Sequence, residues 1–267
     1  MDLGMCGRAY VVFGGTRGIG LAAARALTAE GAHVALVGRD RTLASDVAGG
    51  MDESSTGKVV GIAGDINEEG EAERLLAEAS QQLGPLRGLV VTTGLGMRAQ
   101  RDVLTATDAD WAHSFSDILM GTVHVCRAGV PLLVEAGGGA IVTTAAYSIR
   151  SPKPHQAPYA ALKSSVATLT KGIAKAFGSQ DIRANCVCPG ATETEVLAAM
   201  RTRIARERGW PVEGALERIM AQEWGMNVAL GRAAKANEVG DVIAFLLSER
   251  ASYVTGAVVN VDGGTDF

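Results

Sequence analysis

Seven short, mostly apolar runs recur along the chain, at residues 9–13, 33–37, 58–62, 89–92, 140–144, 182–188 and 257–261. A strand with one wet face alternates apolar and polar positions, whereas a strand covered on both faces does not need to. The intervals between the runs are long enough to hold helices. Strands alternating with helices predict right-handed βαβ crossovers. The expected fold is therefore α/β: a single doubly wound, Rossmann-type, seven-stranded parallel sheet with helices on both faces.

The pattern breaks once. The interval after the sixth run is too long for a simple connection, and between about 195 and 227 the residues Leu197, Met200, Ile204, Trp210, Leu216, Ile219, Met220 and Trp224 suit two amphipathic helices. An excursion that follows a parallel strand leaves from the carboxyl edge of the sheet, where ligands bind in this architecture, so a helical substrate lid is expected there. A helical pair that covers the core or meets another subunit fits the same pattern.

Composition narrows the picture. With 267 residues, 47% hydrophobic and only 4% aromatic, the chain suits small aliphatic helices on one sheet, and a single domain spanning 1–267 is expected. A net charge of -4 gives no electrostatic case for nucleic acid or an anionic membrane. No unbroken apolar run approaches the length of a membrane span, and the first residues lack a signal-peptide core. Cys6, Cys126, Cys186 and Cys188 have neither metal-ligand spacing nor the density of a disulfide scaffold, so they are read as small buried hydrophobes in a reducing cytoplasm, with no metal site.

Candidate chemistry begins where the first run ends, in Phe13-Gly14-Gly15-Thr16-Arg17-Gly18-Ile19-Gly20. Gly14, Gly18 and Gly20 stand where a strand must turn sharply into a helix. Without side chains there, backbone N–H groups can approach a pyrophosphate at the helix N-terminus. The Gly-x-x-x-Gly-x-Gly spacing differs from the commoner Gly-x-Gly-x-x-Gly, and a tight turn without ligand is the plain alternative.

Far along the chain, Tyr159 and Lys163 stand four residues apart in Pro158-Tyr159-Ala160-Ala161-Leu162-Lys163. On a helix they share a face, so the ammonium is expected to sit beneath the phenol and favour its ionised form. That would make a poor proton shuttle usable near neutral pH. Cofactor choice can be read from the end of the second run. An NAD enzyme usually carries an acid there for the ribose 2′-OH, and this chain has Gly38. Arg39 follows and Arg17 lies in the glycine turn, so two guanidinium groups can flank a 2′-phosphate. NADP(H) is expected over NAD(H), with Asp40 a competing partner for Arg39.

Taken in order, the landmarks are Gly14-x-x-x-Gly18-Ile19-Gly20, Asp65-Ile66, Gly94, Tyr159-x-x-x-Lys163, Asn185, Pro189-Gly190-x-x-x-Thr194 and Val261-Asp262-Gly263-Gly264. Together they span nearly the whole chain, which resembles a short-chain dehydrogenase/reductase of the 3-oxoacyl-thioester reductase or hydroxysteroid dehydrogenase type. The resemblance implies that Tyr159 exchanges a proton with a carbonyl or hydroxyl and that Lys163 assists it and holds the nicotinamide ribose. It also implies a cofactor site of Gly14, Thr16, Arg17, Gly18, Ile19, Gly20, Arg39, Asp65, Ile66, Gly94, Tyr159, Lys163, Pro189, Gly190, Thr192 and Thr194. Asp65 would accept from adenine with Ile66 beside the ring, and Pro189, Gly190 and Thr194 would hold the carboxamide.

The chain departs from the family at three places. Ala146 stands where the family has a serine that bonds the substrate oxygen, Ile118 replaces an asparagine that anchors a relay water, and Val91-Thr92-Thr93-Gly94 replaces an Asn-Asn-Ala-Gly turn. The catalytic tetrad is incomplete, with Thr144, Tyr147 or Ser148 as the nearby groups able to help. Two functions are therefore expected: an oxidoreductase acting on a small hydrophobic carbonyl or alcohol, or an NADP(H)-binding sensor or partner protein with a decayed active site. By resemblance the assembly is a homodimer or homotetramer paired through helices near 108–134 and 159–177.

Overall fold

The computed structural model describes residues 2–53, 55–94 and 101–265. In chain order the elements begin β1 (Ala9–Phe13), α1 (Gly18–Ala29), β2 (His33–Gly38), α2 (Arg41–Asp52), β3 (Val59–Ala63), α3 (Glu71–Leu83) and β4 (Leu86–Val91). Next come α4 (Asp108–Ser114), α5 (Gly121–Glu135), β5 (Gly139–Thr144), α6 (Ala157–Phe177), β6 (Ile182–Pro189) and β7 (Thr192–Glu193). The chain closes with α7 (Glu195–Arg208), α8 (Ala215–Gln222), β8 (Ala234–Lys235), α9 (Ala236–Leu247) and β9 (Val258–Val261).

All seven expected runs are strands of one parallel sheet, in the order β3-β2-β1-β4-β5-β6-β9. Helices cover both faces. Val11, Phe13, Leu89, Val91 and Ile141 point to the side of α3, α5 and α6, while Tyr10, Val12, Val90 and Val142 point to α1 and α9. The order reverses between β1 and β4, which opens a crevice at their carboxyl ends, the place where such sheets bind ligands. Small residues set the spacing on the second face: a methyl added at Gly240 of α9 would lie 2.7 Å from the carbonyl carbon of Ala22 on α1.

A continuous helix runs from Asp108 to Glu135, its α4 and α5 segments joined by a turn of π-helix, Phe115–Met120. By length and composition its 28 residues are enough to cross a membrane, although polar residues interrupt its apolar stretches. In the fold, 44% of its most apolar stretch is buried against the rest of the chain.

The excursion forms the two expected helices. Ile204 and Ala205 of α7 pack on Ala215 and Ile219 of α8, flanked by Trp210 and Trp224. The short parallel pair β7–β8 ties its base, and Arg201 of α7 bonds Glu193 of β7 and, at 3.2 Å, Glu217 of α8. One cysteine departs from expectation. Cys126, Cys186 and Cys188 are buried, but Cys6 precedes β1 and is exposed, next to Met5, whose side chain takes the place in the core.

Candidate functional site

The glycine turn leads from β1 into α1 at the crevice. Close approach explains its composition: a methyl at Gly20 would sit 2.1 Å from the Gly14 carbonyl oxygen, and one at Gly14 would sit 2.8 Å from Thr92 Oγ1. Gly18 has φ +53 and faces the Thr194 side chain, where a methyl would meet Thr194 Cγ2 at 3.0 Å. No side chain caps α1, whose N-cap residue is Arg17. The helix therefore offers its first N–H groups and positive dipole end to an anion, with Thr194 opposite.

Thr92 is a part of this turn that the sequence did not single out. Its hydroxyl donates to the Phe13 carbonyl at 2.9 Å, joining the carboxyl ends of β1 and β4. The available signal was position, since a threonine at a strand end beside the reversal of strand order stands where its hydroxyl can reach the end of the neighbouring strand.

Gly38, at the end of β2, is close to Thr16: a methyl there would fall 2.7 Å from Thr16 Cγ2, so a side chain at this position would require Thr16 to shift. Asp40 does not engage Arg39. Its carboxylate accepts from Leu43 N at 3.1 Å and caps α2, as an Asp just before a helix commonly does. Arg39 instead lies 3.9 Å from Asp65 Oδ2, with 70% of its own side chain exposed. Asp65 also accepts from Asn67 N at 3.0 Å, while Ile66 is buried in the core and its carbonyl meets His124 Nδ1.

Gly94 has φ +85, and a methyl on it would lie 3.0 Å from Ile118 Cα in the π-helical turn. The chain leaving β4 thus passes directly against the long helix. Pro189 ends β6, and Gly190 crosses the backbone of Asp262 so closely that a methyl would sit 2.8 Å from its Cα. Thr192 Oγ1 donates to the Gly190 carbonyl at 3.2 Å. Asn185 is structural: its side chain bonds Val254 O and Ala257 N and holds β6 to the segment before β9.

Tyr159 and Lys163 occupy the first turns of α6. Lys163 is 3% exposed and donates to the carbonyls of Thr144 at 3.0 Å and Thr93 at 3.4 Å, its Nζ lying 5.9 Å from the Tyr159 ring centre. Burial lowers its pKa to about 8, opposed by Cys186, Asp117 and Cys188. The phenol goes the opposite way from expectation: burial first, then Tyr147 and Cys188, push Tyr159 above its ordinary value. Sharing a helix face brought the cation near the ring, but desolvation of the phenolate outweighs it. In this state Tyr159 is a protonated acid rather than a phenolate.

The position of the missing serine is plain. Ala146 is extended and buried at the end of β5, and Ile118 packs on Leu162 and Val166 of α6 with Tyr159 alongside. Neither can donate. Two buried hydroxyls nearby, Thr93 Oγ1 and Thr144 Oγ1, have no partner among the described residues. Thr93, just past β4 beside the side-chain-free turn, fits a polar ligand laid across the carboxyl edge, whereas Thr144 shares the strand face of Val142. Among the described residues no His, Cys, Asp or Glu cluster could hold a metal.

A family model described as enoyl-(acyl carrier protein) reductase matches residues 14–266. The meso-2,3-butanediol dehydrogenase of Serratia marcescens is 30% identical over 257 residues, covering 96% of this chain and 94% of its own. A 3-oxoacyl-acyl-carrier-protein reductase of Chlamydia muridarum is 27% identical over 258 residues, 96% of each chain. The L-sorbose reductase of Gluconobacter frateurii, solved with NADPH and L-sorbose, superposes with a TM-score of 0.91 at 27% identity over 98% of each chain. Similarity over the full length covers the crevice, the glycine turn and the helical excursion alike.

Proposed function

The chain belongs to the short-chain dehydrogenase/reductase family of oxidoreductases, and from that premise we propose that it transfers a hydride between NADP(H) and a hydrophobic carbonyl or alcohol. The observation that carries this reading is the placement of Tyr159 and a buried, still cationic Lys163 at the crevice that the glycine turn also borders. A bound nicotinamide would supply or accept the hydride. Tyr159, held protonated, gives its proton to the developing alkoxide in reduction, and Lys163 holds the ribose hydroxyls. Arg39 and Arg17 take the 2′-phosphate at a strand end where Gly38 carries no competing carboxylate. The apolar underside of the excursion, with Leu216, Met220, Met226 and Trp224 near Tyr147, suits a hydrophobic substrate and a lid. The relatives' breadth, from a butanediol to an acyl-carrier thioester, leaves the substrate class to this pocket. A cytoplasmic homodimer or homotetramer paired through α5 and α6 completes the reading.

Ala146 and Ile118 favour a second reading, an NADP(H)-binding sensor or partner protein with a decayed site. Fluorescence titration with NADPH and NADH, followed by turnover on a panel of ketones and alcohols, separates the two. Binding with turnover supports the enzyme; micromolar NADPH binding with no turnover on any member supports the sensor.

A further inference from the structure

With Ala146 at the serine position, three hydroxyls stand close in sequence, and their directions differ. In β5, Thr143 Oγ1 pairs with Thr170 of α6 at 2.6 Å, so Thr144, one residue on, points to the opposite face with Val142, toward α1 and α9. Ser148 is fully buried with an unpartnered Oγ, but it lines a cavity of about 570 Å³ that runs along Ala157, Ala161 and Ser164. Those positions lie on the far side of α6 from Tyr159 and Lys163. Neither hydroxyl has a hydrogen-bond partner among the described residues.

The extended backbone of Ala146 opens directly into the 3-10 turn Tyr147–Ile149, which sends the Tyr147 ring under the excursion against the cluster of Leu216, Met220, Met226 and Ala233. Its phenol also acts electrostatically on Tyr159, raising it further than any group but the burial itself. Tyr147 follows Ala146 directly and lies under the helical pair, on the side of the excursion expected to cover the substrate, and its phenol is near enough to Tyr159 to raise its proton affinity.

We propose that Tyr147 is a second catalytic residue, whose phenol O–H donates to the substrate oxygen in place of the hydroxyl missing at 146. This rests on the oxidoreductase reading above. In reduction the hydride adds to the carbonyl carbon, the carbonyl π pair moves to oxygen, and that oxygen takes the Tyr159 proton; Tyr147 keeps its own proton and only donates a hydrogen bond. Because the ring is anchored in the apolar cluster under α8, the donor is in place only when the excursion is packed.

The test compares the native chain with Tyr147→Phe and with Tyr147→Phe combined with Ala146→Ser. Phe keeps the ring in its cluster, so the melting curve and the NADPH dissociation constant should match the native values. On a ketone the native chain reduces, kcat should fall ~10²-fold with KM changed only a few-fold, as for loss of one donor to a developing oxyanion. Adding Ser at 146 should recover ~10-fold or more of that loss, since it restores a donor to the same oxygen. Unchanged kcat in Tyr147→Phe, or a loss of NADPH binding in step with kcat, overturns the proposal. A native chain that binds NADPH but reduces nothing overturns the oxidoreductase reading and the proposal with it, and is recognised before any variant is made.

Discussion

In the nucleotide half of the crevice, Gly14, Gly18, Gly20 and Gly38 stand where a single added carbon meets the carbonyl of Gly14 or the side chains of Thr92, Thr194 and Thr16. In the substrate half, Ala146 and Ile118 are packed apolar residues where the resemblance implies polar groups, Tyr147 packs under α8, and Tyr159 packs beside Ile118 on α6. The first half is made by backbone and excludes side chains; the second is made by side chains and tolerates exchange. A backbone cradle holds any ligand with the right phosphates, and it changes little unless the fold changes. Side chains at strand ends can be exchanged one by one, so chemistry can drift while cofactor binding persists.

The comparison breaks most decisively at Tyr159. If the halves are separable, Tyr159→Phe should lower kcat by ~10²–10⁴-fold, the usual worth of a positioned proton donor, while NADPH affinity stays within about two-fold. Single-turnover hydride transfer, measured alongside a fluorescence titration, checks both. Full turnover in the variant would move the proton to another group, with Tyr147 the first to examine.

From the nucleotide half, Arg39→Ala should weaken NADPH by roughly ten- to a hundred-fold and NADH hardly at all, because a charged hydrogen bond worth ~1.5–3 kcal/mol is removed from one cofactor only. The exposure of Arg39 and its 3.9 Å approach to Asp65 place the expected loss toward the lower end. Equal losses for both cofactors would show that Arg39 acts through Asp65 and the adenine end rather than on a 2′-phosphate.

The contrast between the halves also sets what the sequence could reveal. Glycine positions were legible because steric exclusion depends on backbone geometry, and the strand–turn–helix pattern carries that geometry. All seven strands were legible for the same reason, since a strand covered on both faces needs nothing but apolar residues. Directions were not. Ser148 and Tyr147 are adjacent, yet a 3-10 turn sends one to the outer side of α6 and the other under α8. Asp40 was a reasonable partner for Arg39 until the start of α2 claimed its carboxylate. The proton affinity of Tyr159 depended on burial, which a spacing of four residues does not encode.

A smaller effect sharpens the substrate half. Ile118 is 1% exposed and packs on Leu162 and Val166, so restoring the family's asparagine puts an amide among aliphatic carbons. Ile118→Asn should cost about 1–3 kcal/mol of stability, the usual penalty for a poorly paired buried polar group, and lower the melting temperature accordingly. An unchanged melting temperature would mean the amide finds partners, and that the pocket kept the polar surroundings its sequence has lost.

The smallest effect joins the halves at Lys163. Its pKa is depressed by burial from 10.5 to about 8, so the ammonium proposed to hold the ribose is lost at an ordinary alkaline pH. A charged donor is worth about 1 kcal/mol more than a neutral one, so NADPH affinity should weaken about five-fold as pH rises from 7 to 9.5. In Lys163→Arg the guanidinium stays charged, and affinity should be flat over that window. Stability should run the other way. A group whose folded pKa lies below its unfolded one binds fewer protons when folded, so stability rises with pH between about 8 and 10.5, by an amount of order 3 kcal/mol. Measured against Lys163→Met, which has no proton to lose, the native chain should therefore gain melting temperature over the same range in which it loses NADPH. Parallel trends in both quantities would show that the ammonium stabilises the fold, and that the carbonyls of Thr144 and Thr93 compensate its burial in full.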